Sequence, residues 1–123
     1  MGVKDIGFGI TVSNNNSSDM LQLYELNRNL KMEFATASFH NSFYFHKYDN
    51  KVTNIDEVCG NFDELIQRLM NEKHPKSWFR AFFNLGLINY VKGGRRMLPC
   101  EAGTENFFID PYGNVLPCLS LIH

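Results

Sequence analysis

Between Asp5 and Ser13 the chain alternates without a break: Ile6, Phe8, Ile10 and Val12 interleave with Gly7, Gly9, Thr11 and Ser13. A period of two predicts a strand, here with one bulky apolar face and one face of small residues. On the small face either another group approaches the backbone closely or the strand lies in a crowded sheet interior; the pattern leaves both readings open. The polar run Asn14 to Asp19 can turn the chain and cap a helix, and Met20, Leu23, Tyr24, Leu26 and Leu30 then predict a helix from Met20 to Lys31. Met32 to His40 reads as a second strand. Strand, helix and strand joined by short loops make a βα unit of a parallel sheet. No GxGxxG follows the first strand, so a dinucleotide fold is not signalled.

Further along, Phe43 to Tyr48 is aromatic-rich and fits a strand or a loop, and Asp49 to Cys59 is polar and reads as irregular. Asn61 with Glu64 three residues on matches a capping box, and Phe62, Leu65, Ile66, Leu69 and Met70 follow at amphipathic-helix spacing. Pro75 suits the first turn of a further helix reaching to about Lys92, with Gly93-Gly94 as its stop. Trp78, Phe79, Phe82, Phe83, Leu87, Tyr90 and Val91 line its apolar side, and the stripe from Trp78 to Phe83 is assigned to the core. Finally, Phe107 to Ile109 and Asn114 to Leu116 flank Asp110-Pro111-Tyr112-Gly113. Asp first, Pro second and Gly last predict a β-hairpin closed by a type I turn with a bulge glycine.

Composition narrows the function. A formal net charge of -1 argues against nucleic acid as partner, and no apolar run approaches the length of a membrane span. The N-terminus lacks the apolar stretch and cleavage site of a secretory signal, so a cytoplasmic location is expected. Three cysteines are too few for a disulfide framework and favour metal binding or plain thiols. The chain enters a strand almost at once and stops five residues after Cys118, which suggests a piece of a larger protein.

The chemistry concentrates in Cys100, Gly113 and Cys118. Each cysteine follows a proline, and the hairpin between them can fold one back toward the other. Two thiolates at the open end of a hairpin make half of a tetrahedral sulfur site; the plain alternative is two buried or paired thiols. Lys92, Arg95 and Arg96 could offset the charge of such a site or simply form a solvated turn. Cys59 reads as a lone, half-buried thiol just before a helix, His123 as a terminal side chain or a third ligand, and His40 and His46 as ordinary histidines. Asp56, Glu57, Asp63 and Glu64 read as a solvated, capping face rather than an acid–base pair.

The run LPCEAGTENFFIDPYGNVLPC, residues 98 to 118, resembles the opening of the SPASM domain, which extends many radical-SAM enzymes. Twelve residues separate Cys100 from Gly113 and four separate Gly113 from Cys118, within the spacing of that family's first cysteines. The resemblance implies that Cys100 and Cys118 ligate an auxiliary 4Fe–4S cluster. It also implies a parent enzyme that cleaves S-adenosylmethionine at another cluster, the leading substrate class being a peptide or protein. The Cys-x₃-Cys-x₂-Cys motif for that other cluster is absent, as are the later SPASM cysteines.

The fold expected is therefore α/β. Residues 1–60 would be βα units from the C-terminal part of a radical-SAM partial barrel, residues 61–97 a helical connector, and residues 98–123 the C-terminal β-hairpin of a truncated SPASM domain. The open strand edges of such a piece would allow self-association. The alternatives are a small non-enzymatic module holding zinc through Cys100, Cys118 and borrowed ligands, or an inactive truncated product.

Overall fold

The computed structural model describes residues 6–41, 46 and 49–117. Its elements run β1 (Gly7–Val12), α1 (Asp19–Leu30), β2 (Glu33–Ser38), α2 (Ile55–Asn71), α3 (Pro75–Val91), β3 (Phe108–Ile109) and β4 (Val115–Leu116). The fold is mixed α/β, and its sheets are small: β1 pairs parallel with β2, and β3 pairs antiparallel with β4. Two compact units divide the chain, one of Met1–Phe39 with Val52–Arg96 and one of His40–Lys51 with Met97–His123. The Phe43 to Tyr48 expectation falls largely outside the described residues, and Cys118 and His123 lie outside them altogether.

The first unit begins as the alternation requires. Phe8, Ile10 and Val12 turn inward from β1 and lie opposite Phe34, Thr36 and Ser38 of β2. Gly7, Gly9, Thr11, Ala35 and Ala37 make up the other face with Glu33, which stands opposite Gly7, and all of them but Glu33 are exposed. At Gly7 the close neighbour is the adjacent strand, since an added Cβ would lie 2.5 Å from the Glu33 carbonyl oxygen; at Gly9 nothing stands within 4 Å. α1 crosses from β1 to β2 and packs on the bulky side, where Met20 and Tyr24 join a core with Val58, Phe62, Leu65 and Leu69 of α2. Burying one such side chain contributes roughly 1.5–3 kcal/mol.

α2 starts earlier than its capping box suggests. Asn54 is its N-cap position, Asp56 and Glu57 occupy its first turn, and the stretch Ile55 to Cys59 is helical rather than irregular. Acidic residues there face the positive end of the helix dipole. Asn61 lies inside the helix and donates from Nδ2 to Ser17 Oγ at 3.2 Å, a tertiary contact in place of a cap.

α3 opens on Pro75, with His74 Nδ1 accepting from the Lys76 N–H, and closes in a Schellman motif. Gly94 N–H donates to Asn89 O and Gly93 N–H to Tyr90 O, with Gly93 at φ 74°. The side it buries is not the aromatic one. Ser77, Ala81, Asn84 and Ile88 face inward and Leu87 and Val91 pack against the core, whereas Trp78, Phe79, Phe82, Phe83 and Tyr90 are exposed, so the assignment of the Trp78 to Phe83 stripe to the core is overturned. Small inward residues let α3 approach α2 and β2 closely, and Asn84 is satisfied there: Thr36 Oγ1 donates to its Oδ1 at 2.7 Å, and its Nδ2 donates to Arg80 O.

Ionic and polar ties hold the helices together. Arg68 joins Glu25 of α1 to Glu64, and Glu33 meets both Lys76 and Arg80 of α3. The Glu72 carboxylate accepts from Tyr24 and from Ser77. Burial first, and the Glu72 bond second, hold the Tyr24 hydroxyl well above its ordinary range, so it stays protonated and donating.

Candidate functional site

The hairpin unit is organised by Asp110. This residue is nearly buried, and its Oδ1 accepts from the N–H groups of Tyr112 and Asn114 at 2.8 Å each, while Oδ2 accepts from Asn114 Nδ2 at 2.8 Å. Its backbone closes the turn, with Gly113 N–H donating to Asp110 O at 3.0 Å. Gly113 sits at φ 86°, the left-handed conformation the bulge position demands. The bond from the Asn114 side chain, followed by the backbone donors, holds the Asp110 carboxyl below the usual carboxylate range.

A second tight loop follows Cys100. Glu101 O accepts from the N–H groups of Thr104 and Glu105, and Gly103 N–H donates to Asn106 O at 2.7 Å. This turn brings Gly103, at φ 87°, against the far end of the hairpin, where an added Cβ would lie 3.1 Å from Pro117 Cβ. The residue three after Cys100 therefore comes close to the residue immediately before Cys118. The approach depends on the Glu101 turn and could not be read from spacing.

Cys100 is exposed. Cys59 is buried inside α2, and burial pushes its thiol up despite the opposing effect of Lys92. A protonated, enclosed thiol is not a ready metal ligand. A 4Fe–4S cluster takes four thiolates. The sequence has three cysteines, one of them Cys59, so this chain does not supply a full ligand set. Among the described residues, no group of three or more His, Cys, Asp or Glu side chains is placed to hold a metal ion.

The carboxyl end of β1, where open parallel sheets commonly bind ligands, is tied up internally. Asn14 Oδ1 accepts from Thr53 N–H at 2.8 Å, Asn54 Nδ2 donates to Asn14 O and to Glu57, and Asn16 Oδ1 accepts from Ser13 N–H. These side chains pin the β1–α1 loop to the start of α2. Lys92, Arg95 and Arg96 are exposed, as are Asp56, Glu57, Asp63 and Glu64.

No family model, curated protein or solved structure matches this chain. Among the described residues no helix is long and apolar enough to cross a membrane.

Proposed function

We propose that these residues form part of a radical-SAM enzyme with a SPASM domain, in which Cys100 and Cys118 are two ligands of an auxiliary 4Fe–4S cluster. The observation that carries the reading is the approach of Gly103 to Pro117, which draws together the segments next to the two cysteines. The turn with Gly113 at positive φ adds to it, because this glycine is the fixed point of the motif's spacing. A further support lies in the first unit. Its parallel strands carry helices on the bulky side and, apart from Glu33 at the start of β2, small residues on the other, as strands of a partial barrel do when helices cover the outside and the interior stays open. The remaining cluster ligands, the S-adenosylmethionine site and the substrate contacts belong to residues outside this sequence, with a peptide or protein as the leading substrate class.

Anaerobic reconstitution with iron and sulfide tests the assignment. With added thiol or a second chain completing the four thiolates, the expected result is a brown chromophore with bound iron that is lost in the Cys100→Ala/Cys118→Ala variant and kept in Cys59→Ala. A chromophore that survives the double substitution would defeat it. Tight zinc uptake through the same two cysteines, with no iron–sulfide chromophore, would favour the zinc module instead.

A further inference from the structure

The segments next to the two cysteines meet across a hairpin that has very little strand in it. β3 and β4 contribute two pairs, Phe108 with Leu116 and Ile109 with Val115. Among the described residues of this unit no apolar side chain is buried, and Phe107, Ile109, Tyr112 and Val115 are exposed. A ladder this short does not fix its own register; the turn that closes it does. A slip of one residue would move Pro117 by ~3.3 Å along the strand and turn every side chain of β4 to the opposite face. The approach of Gly103 to Pro117 therefore depends on whatever holds the turn.

One side chain holds it. Asp110 is 7 % exposed in a unit with no other buried described residue. Its carboxylate accepts only from residues beyond the turn: Oδ1 from the N–H groups of Tyr112 and Asn114, Oδ2 from Asn114 Nδ2. Its own N–H donates to Asn114 O at 3.1 Å. Asn114 begins the returning limb, so Asp110 fixes where that limb starts relative to β3. The Cys100 limb is held by its own backbone instead, with Gly103 N–H on Asn106 O and a bridge between Ala102 and Asn106. Both carboxylate oxygens are engaged at the closed end of the hairpin, while the cysteines lie toward its open end. Asp110 can thus act on a bound metal only through register.

We propose that Asp110 is a positioning residue for the Cys100 and Cys118 pair: by setting the hairpin register it presents two thiolates to one soft cation without touching that cation. This inference rests on the paired-ligand reading above and goes beyond it by naming what orients the pair. Linkage makes it reciprocal, because a metal that joins the two cysteines must stabilise the Asp110 turn by as much as the turn strengthens metal binding.

Cadmium is the probe, titrated into the reduced chain and read by thiolate-to-cadmium absorbance in the ultraviolet. Asp110→Ala should weaken its binding by about tenfold or more, as loss of a group that orients a ligand does. Asp110→Asn keeps an oxygen for the Tyr112 and Asn114 N–H groups and should recover most of the affinity. At saturation the absorbance per bound cadmium should equal wild type in both variants, because both thiolates still ligate. In the wild-type chain cadmium should slow hydrogen exchange at Tyr112 and Asn114, which stand at the end of the hairpin away from the metal. Wild-type affinity in Asp110→Ala, or exchange at the turn indifferent to cadmium, would overturn the positioning role and leave the cysteine pair standing. So would a lower absorbance per cadmium at saturation, which would mark a changed ligand set. A wild-type chain that binds cadmium no better than Cys100→Ala/Cys118→Ala would overturn the pair itself, and this role with it.

Discussion

The helical unit and the hairpin unit are held by different forces. Every buried apolar side chain among the described residues, from Val12 to Ile88, belongs to the first. In the second, Asp110 is the one buried described residue, while Phe107, Ile109, Tyr112 and Val115 are exposed. The first unit is therefore stabilised by removing apolar surface from water, the second by side-chain and backbone hydrogen bonds around two turns. A two-stranded hairpin held this way is marginal by itself, and units of this size ordinarily depend on a metal, a disulfide or a partner. The unit that carries the candidate ligands is thus the one with most to gain from binding a metal.

The contrast can be broken first at Phe62, which is fully buried. Phe62→Ala should destabilise the helical unit by about 3–5 kcal/mol, read as a lowered denaturation midpoint, while hydrogen exchange at the Asp110 turn changes little. An equal loss of protection in both units would show that they fold as one. At the hairpin, Gly113→Ala forces a Cβ into the left-handed region and should cost about 1–2 kcal/mol locally. Amides of Tyr112 and Asn114 should lose protection, with the helical unit's midpoint unmoved. A smaller effect sharpens the same point through pH. The Asp110 carboxyl is held low in the folded hairpin, so its contribution is present above the unfolded carboxylate pKa and vanishes as pH falls through the lower folded value. Protection of the turn should therefore persist at neutral pH and be lost below about pH 4, and Asp110→Asn should flatten that dependence. A turn whose exchange follows only the intrinsic pH dependence would contradict the role given to Asp110.

What the sequence revealed follows the range of the forces involved. The β1 alternation, the Pro75 start, the Gly93-Gly94 stop and the Asp110 turn depend on neighbours a few residues apart, and all are present. The start of α2 was obscured because Asn61 and Glu64 imitate a cap, while Asn61 in fact reaches Ser17 on another element. The inward side of α3 was hidden for a related reason. Hydrophobic patterning weights rings above Ser77, Ala81 and Asn84, but closeness of packing and the Thr36–Asn84 bond decided which side went in. Of the candidate site, the cysteine spacing and Gly113 were legible; the Gly103–Pro117 approach was not, because it joins two turns whose relative placement no local rule dictates.

Alkylation of the reduced chain with and without cadmium, read by mass spectrometry, tests most directly whether Cys100 and Cys118 act as a pair. Two thiolates suffice to bind a soft cation, so a complete cluster ligand set is not needed. Cadmium should protect Cys100 and Cys118 together, and replacing either with Ala should remove protection from the other, with Cys59 modification unaffected by the metal. Independent alkylation of Cys100 and Cys118, indifferent to cadmium and to each other's replacement, would contradict the paired-ligand reading.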